Sequence, residues 1–142
     1  ETMADDDEVA TVMGHEVAHV AGRHAAERAS QQMVGGLGLA AAGVALQEAE
    51  VDNAQQIAAA LGAGVTFGVI LPYSRQHELE ADRIGTDYMH RAGYRPSASL
   101  DFWRRRAGSR TGGRQPEFFS THPADATRIQ ALQQHISRMG YA

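Results

Sequence analysis

The run His15-Glu16-Val17-Ala18-His19 carries the side chains best suited to chemistry. On a helix the two histidines project from one face, one turn apart, so two imidazole nitrogens can reach a single zinc ion at about 2.0–2.1 Å. Glu16 sits about 100° round the helix, too far to ligate beside them but near enough to reach a water on the metal and accept its proton. That combination points to hydrolysis by an activated water. A catalytic zinc takes three protein ligands and leaves one position open, so a further ligand is required. In the extended form of the pattern a third histidine follows a glycine at a fixed distance. Gly22 fits that form, but Ala25 holds the ligand position and His24 falls one residue short. On a continuous helix His24 is turned about 140° from His19, which reads it as exposed or as lying behind the ligands.

The stretch Arg75-Gln76-His77-Glu78-Leu79-Glu80-Ala81-Asp82 offers a carboxylate instead. Glu78 and Asp82 stand four apart, on one helical face. Glu78 reads as the third ligand, and Asp82 as the acceptor for the free ring nitrogen of a zinc histidine, expected to be His15, whose tautomer and orientation it would fix. Glu80 reads as a solvated charge and His77 as pointing to another face. His24, His90 and His135 read as ordinary surface histidines with no place in the site.

These residues need helices to hold them, and the apolar spacing supplies them. Asp5, Asp6, Asp7 and Glu8 put carboxylates at the positive end of a helix whose apolar positions are Val9, Val12, Met13, Val17 and Val20. The spacing predicts one long helix to about Ser30. Val34 to Leu46 and Ile57 to Leu71, rich in Gly and Ala and separated by the polar run Gln47 to Gln56, read as a helical hairpin. Pro72 is expected to end its second arm, and Ser74 to cap a new helix carrying Leu79, Ile84, Tyr88 and Met89 and closed by Gly93. Each arm holds roughly fifteen apolar or small residues against the ~20 of a membrane span. The hairpin is therefore expected to pack within the protein and the chain to have no transmembrane span, with contact to a membrane surface as the lesser reading. A short helix follows Arg95-Pro96-Ser97 and carries Leu100, Phe102 and Trp103, and the basic, Gly-rich Arg104 to Arg114 reads as a mobile loop. Pro123 suits the first turn of a last helix that buries Ile129, Leu132 and Ile136 and stops at Gly140. No strand and no internal repeat is evident, so the fold class is mainly α.

At 142 residues, 43% hydrophobic and 21% charged, the chain is long enough to bury a core, and residues 1–142 are taken as a single domain. A net charge of −4 gives no general attraction to phosphate backbones and argues against a nucleic-acid partner. Without cysteine there is no disulfide and no thiolate metal site, so any metal must use His, Asp or Glu. Glu1 to Glu8 is acidic, unlike a signal peptide, and the chain does not begin with Met. Its start is read as a boundary inside a longer product, truncated at the N-terminus.

His15 to His19 with Arg23-His24, Ser74-Arg75 leading to Glu78 through Gly85, and Ser120-Thr121-His122-Pro123 with Arg128-Ile129 together resemble the HtpX-like zinc metallopeptidases. The spacing is most similar to the soluble BepA-like and LoiP-like bacterial envelope proteases, with CAAX prenyl proteases as more distant relatives. Three motifs in the same order cover nearly the whole chain. The resemblance implies a minigluzincin-like zincin fold, with an HExxH active-site helix, an ExxxD helix and a helical hairpin between them. It implies an endopeptidase holding one Zn2+ per chain, with His15, His19 and Glu78 as ligands and Glu16 as the catalytic glutamate. It further implies polypeptide substrates, protein quality control in the bacterial cell envelope, a periplasmic or lipoprotein-anchored location, and outer-membrane assembly proteins as partners. Members of the group carry a β-strand ahead of the HExxH helix, on the edge of the cleft, against which substrate pairs; this chain is expected to start too late to contain it.

The reaction expected is peptide hydrolysis, with Glu16 taking a proton from the attacking water and passing it to the leaving amine. His122 is the candidate donor to the oxyanion, with Tyr73 a weaker one. His122 is also a candidate fourth ligand that would displace the water and silence the site, and its plain alternative is a packing residue at a helix start. The competing class is a non-catalytic chaperone or scaffold that keeps a structural zinc and uses the apolar hairpin to hold clients. Such a closed site needs four protein ligands and has no use for Glu16.

Overall fold

Asp5 starts the first helix, α1 (Asp6–Ala21). Its carboxylate accepts the Glu8 N–H at 2.9 Å, and Asp6, Asp7 and Glu8 sit at the positive end of the helix dipole. The computed structural model describes residues 5–108 and 121–141, and among them the chain is mainly α with no strand. After α1 come α2 (His24–Glu48), α3 (Ala54–Val65), α4 (Leu71–Arg91), α5 (Pro96–Gly108) and α6 (Ala126–Met139), with a π-helical turn, Thr66–Ile70, joining α3 to α4. They divide into two compact units, Glu1–Gly22 with His77–Ala142, and Arg23–Gln76.

Several helix ends differ from expectation. The long helix expected to reach Ser30 stops at Ala21: Gly22, the poorest helix former short of proline, caps it, and Arg23 takes a left-handed conformation (φ 57°) that redirects the chain into α2. Pro72 does not end the second arm, and the helix continues from Ala54 to Arg91 with Ser74 inside it rather than at its cap. The π turn accounts for this. Leu71 donates its N–H to Thr66 O, five residues back, and the widened turn gives the proline ring room that an α turn denies it. α4 closes as expected at Gly93 (φ 83°), with Tyr94 N–H on Met89 O at 2.9 Å. The last helix starts at Ala126, not Pro123, because Asp125 is extended and its carboxylate caps the Arg128 N–H at 2.9 Å. Arg104 to Gly108 continue α5, and the rest of the expected loop, 109–114, lies outside the described residues.

In the first unit, Leu100, Phe102 and Trp103 of α5 and Leu132 and Ile136 of α6 form the core, with Val12 of α1, Ile129 and Tyr141 packed against it. Asp7 accepts the Arg95 N–H at 2.9 Å and its Nε–H at 2.8 Å, tying the start of α5 to the first turn of α1. Glu8, buried in that turn, pairs with Arg105. α1 meets α4 backbone to backbone. A Cβ placed on Gly14 would lie 2.8 Å from Gly85 O, and one on Gly85 would lie 2.8 Å from both Gly14 C and His15 N. Only hydrogen fits between the two helices there, which brings the helix of Glu78 and Asp82 against the backbone of His15.

In the second unit α2 and α3 face each other along small residues: a Cβ on Gly35 would meet Val65 at 3.4 Å, and one on Gly62 would meet Leu39 at 3.9 Å. The expectation that the hairpin buries its apolar faces within the protein is corrected. His24 is the only buried residue of α2, and α3 has none. Leu37, Val44, Leu61, Phe67 and Val69 are exposed. Because the helix runs on through Pro72, Ala54–Arg91 contains an 18-residue window of mean hydropathy 1.6 and is, by length and composition, long and apolar enough to cross a membrane.

Candidate active site

α1 presents His15 and His19 one turn apart, as the spacing predicts, and α4 brings Glu78 to them. His15 Nε2 stands 3.1 Å from His19 Nε2 and 3.2 Å from Glu78 Oε2, and His19 Nε2 stands 3.2 Å from Glu78 Oε1. His122, on the segment before α6, joins the same cluster. Its Nδ1 lies 3.0 Å from both Glu78 oxygens and 3.2 Å from His15 Nε2. One ligand atom from each of the four residues falls within 4.8 Å of all the others.

The far side of each ring explains its orientation. His15 Nδ1 lies 3.0 Å from Asp82 Oδ1, so the carboxylate favours a proton on Nδ1 and leaves the Nε2 lone pair aimed into the cluster. The Nε2 atoms of His15 and His19 and the Glu78 carboxylate converge, an arrangement filled either by a cation on the nitrogen lone pairs or by protons that the rings share with Glu78. Four ligands held tetrahedrally at about 2.0–2.1 Å from zinc stand roughly 3.3–3.4 Å apart, close to the spacing found, so the donor set fits this metal. Glu16 stays out of the ligand set. Its Oε1 is buried without a hydrogen-bond partner and lies 3.4 Å from His122 Nε2.

Charge balance around the cluster comes from a residue to which the spacing assigned no role, Arg128. Its guanidinium donates from Nε to Asp82 Oδ2 at 2.8 Å and from Nη2 to Asp82 Oδ1 at 2.7 Å. Its Nη1 donates to Pro123 O at 2.9 Å and stands 3.1 Å from Glu78 Oε2, while the guanidinium carbon rests 4.1 Å from the Trp103 ring centre. Arg128 thus neutralises two buried carboxylates and grips the peptide just after His122. Burial alone would raise the Glu78 carboxyl; hydrogen bonds from His122, His15 and His19, with the Arg128 charge, reverse that and hold it far below the ordinary range. Burial likewise opposes ionisation of Asp82, and the bonds to His15 and Arg128 overcome it. For His15 burial favours the neutral ring, but Asp82 and Glu78 outweigh it and raise its pKa above 6.5.

The structure therefore brings together His15, His19, Glu78 and His122, with Asp82 behind His15 and Glu16 beside His122. His24 and His135 are buried, not at the surface, because α2 begins afresh at His24 and because His135 Nε2 meets Asp87 Oδ1 at 2.7 Å. Neither belongs to the cluster. Tyr73 is exposed and lies in the other unit. A signal for Arg128 existed: two carboxylates destined for burial on one face of α4 require a cation, and Arg128 is a cation in the last helix.

The family model described as peptidase family M48 matches residues 1–136. The chain is 37% identical over 140 residues to the mitochondrial metalloendopeptidase OMA1 of Saccharomyces cerevisiae, covering 95% of this chain and 38% of that protein. It is 32% identical over 145 residues to the beta-barrel assembly-enhancing protease of Escherichia coli K12, covering 95% and 28%. To the mitochondrial metalloendopeptidase OMA1 of Arabidopsis thaliana it is 33% identical over 129 residues, covering 91% and 24%. The chain spans about a quarter to two fifths of the length of these curated relatives. No solved structure matches it.

Proposed function

The chain belongs to peptidase family M48, and from that membership we propose that it is a zinc-dependent endopeptidase cleaving peptide bonds of folded or misfolded envelope proteins. The observation that carries the reading is the convergence of His15 Nε2, His19 Nε2 and Glu78 beside a carboxylate oxygen, Glu16 Oε1, that has no hydrogen-bond partner. His15, His19 and Glu78 would hold one zinc ion. When bound, zinc supplies Lewis acidity, polarising a carbonyl and lowering the pKa of a water from ~15.7 toward ~7. Glu16 takes the proton of the attacking water and returns it to the leaving amine. Asp82 keeps the His15 proton on Nδ1, and Arg128 keeps Asp82 ionised. His122, whose neighbour Pro123 accepts a hydrogen bond from Arg128, would donate from its ring to the oxyanion.

One observation favours a second reading. His122 Nδ1 is a fourth donor in the cluster, and four protein ligands leave no open position on zinc. That arrangement suits either a resting state that closes when no substrate is present or a purely structural zinc in a non-catalytic chaperone. Glu16, which a structural site does not need, favours the enzyme. Residues 1–142 serve here as one catalytic domain, with Arg23–Gln76 inserted between the histidine-bearing and glutamate-bearing helices. Similarity to a beta-barrel assembly-enhancing protease supports a place in the cell envelope, periplasmic or lipoprotein-anchored, and outer-membrane assembly proteins as partners. The test is cleavage of unfolded casein by the full-length protein, lost with a chelator and restored by zinc. Cleavage that survives complete metal removal would sink the reading.

A further inference from the structure

Among the described residues the hairpin α2–α3 supplies no member of the His15, His19, Glu78 and His122 cluster, and its surface is at odds with water. Between Arg28 and Glu48 lie 19 residues without a charge, and between Asp52 and Arg75 lie 22. At 1.5 Å per residue these helical stretches measure about 28 and 33 Å, close to the ~30 Å hydrocarbon core of a bilayer. The helix holding the second stretch has an 18-residue window of mean hydropathy 1.6, with none of it buried. A surface helix in water shows one apolar stripe and one polar face. Here the seam between the arms is apolar and so are the outward sides, where Leu37, Val44, Leu61 and Phe67 are exposed.

Composition separates a lipid environment from a protein one. Gly36, Gly38, Gly43, Gly64 and Gly68 meet nothing within 4 Å, so close packing inside the chain does not require them. In water each costs a helix roughly 1 kcal/mol relative to Ala. Membrane helices carry more Gly and Pro than soluble ones, and pack through small residues like those at Gly35 and Gly62. The π turn and Pro72 are tolerated in such helices as well. Charge sits only at the two ends: Arg23, Glu27, Arg28 and Arg75 at the base, net positive and beside the exposed Tyr73, and Glu48, Glu50 and Asp52 at the tip. Arg and Tyr at one end suit an anionic headgroup layer. A helix lying flat on a membrane needs a polar face, which Met33 to Leu46 and Ile57 to Leu71 do not have.

We propose that this hairpin inserts into a lipid bilayer as a pair, with Arg23, Arg28 and Arg75 at one headgroup layer and the acidic tip at the other. Lipid acyl chains are the partner of its outward faces. A second copy or a client protein could cover one side of the pair, whereas acyl chains cover all of them. Both ends of the insert then lie on one face of the membrane, whatever chemistry the rest of the chain performs.

The chain has no cysteine, so single cysteines can be introduced and labelled with an environment-sensitive fluorophore. Leu37→Cys and Leu61→Cys report the outward faces, Asp52→Cys the tip, and Gln134→Cys, at an exposed position of α6, serves as the control. With the full chain in phosphatidylcholine–phosphatidylglycerol vesicles, labels at 37 and 61 should shift to the blue and be quenched by lipids brominated along the acyl chains. Labels at 52 and 134 should do neither. Leu37→Asp with Leu61→Asp should lower the vesicle-bound fraction by more than about tenfold, since a charge in hydrocarbon is costly, while helicity and zinc content stay unchanged. Labels at 37 and 61 that remain in water with vesicles present would overturn the proposal. So would shielding that depends on protein concentration without lipid, which would mark a second copy as the occupant, or a double variant that still floats with vesicles.

Discussion

Glu16 differs from its neighbours in the cluster by having a carboxylate oxygen with no hydrogen-bond partner beside three rings that all have one. Glu16→Gln keeps the shape and cannot accept a proton. Casein cleavage should fall by several orders of magnitude, on the order of the full general-base contribution, with helicity and zinc content unchanged; a Gln variant that still turns over refutes the assignment. Asp82→Ala should act on the metal instead, weakening zinc affinity by about 10- to 100-fold through loss of His15 orientation, measured by competition with a chromophoric chelator. Normal affinity would leave Asp82 only its pairing with Arg128. His122→Ala divides three roles. The cleavage rate falls if the ring steadies the oxyanion and rises if it closes the site; a rate unchanged across pH 6 to 8 leaves a packing role. His15, Glu16 and His19, and likewise Glu78 and Asp82, could be grouped from the sequence because spacings of one and four decide which helix face a side chain occupies. Spacing could not group Arg128 with them, since its partners lie on α4 and on the segment before α6, and only the need of two buried carboxylates for a cation pointed to it.

Helix types and most of their extents follow from apolar spacing, but ends follow from single residues. Arg23 adopts a left-handed conformation that side chains other than Gly rarely take, and nothing in its type announces it. Pro72 reads as a stop, and only the preceding π turn lets the helix pass it. The crossing of α1 and α4 was equally hidden, because Gly14 and Gly85 acquire meaning only when their helices touch. Gly85→Ala places a Cβ 2.8 Å from His15 N, and neither backbone can yield cheaply. The variant should lose about 1–3 kcal/mol of stability, typical of overpacking, and bind zinc more weakly because Glu78 moves with α4. Gly36→Ala, which meets nothing within 4 Å, is the control: it should leave zinc binding unchanged and raise stability by up to about 1 kcal/mol rather than lower it. Equal melting temperatures for Gly85→Ala and the parent would show that the helices have slack.

Taken as a whole, the chain is a unit holding the His15, His19, Glu78 and His122 cluster, interrupted by an insert, and all four residues of the cluster belong to the first of the two. Zinc at about 1,000 times its dissociation constant should stabilise the unit that binds it by about 4 kcal/mol. Hydrogen exchange should therefore slow at amides of α1, α4 beyond His77, and α6, and stay as it was at amides of α2 and α3. Slowing spread equally over both units would mean that they unfold as one. The interruption also bears on the order in which the molecule assembles. Glu78 follows His19 by 59 positions, a long loop to close on a site that offers no reward until it is complete. The two arms of the insert meet locally and are nearly equal in length, so they can zip early and draw their own ends together. Shortening the effective loop about tenfold in this way spares roughly 2 kcal/mol of closure entropy. A hairpin that forms first would act as a splint during folding, with the cluster of His15, His19 and Glu78 closing after it.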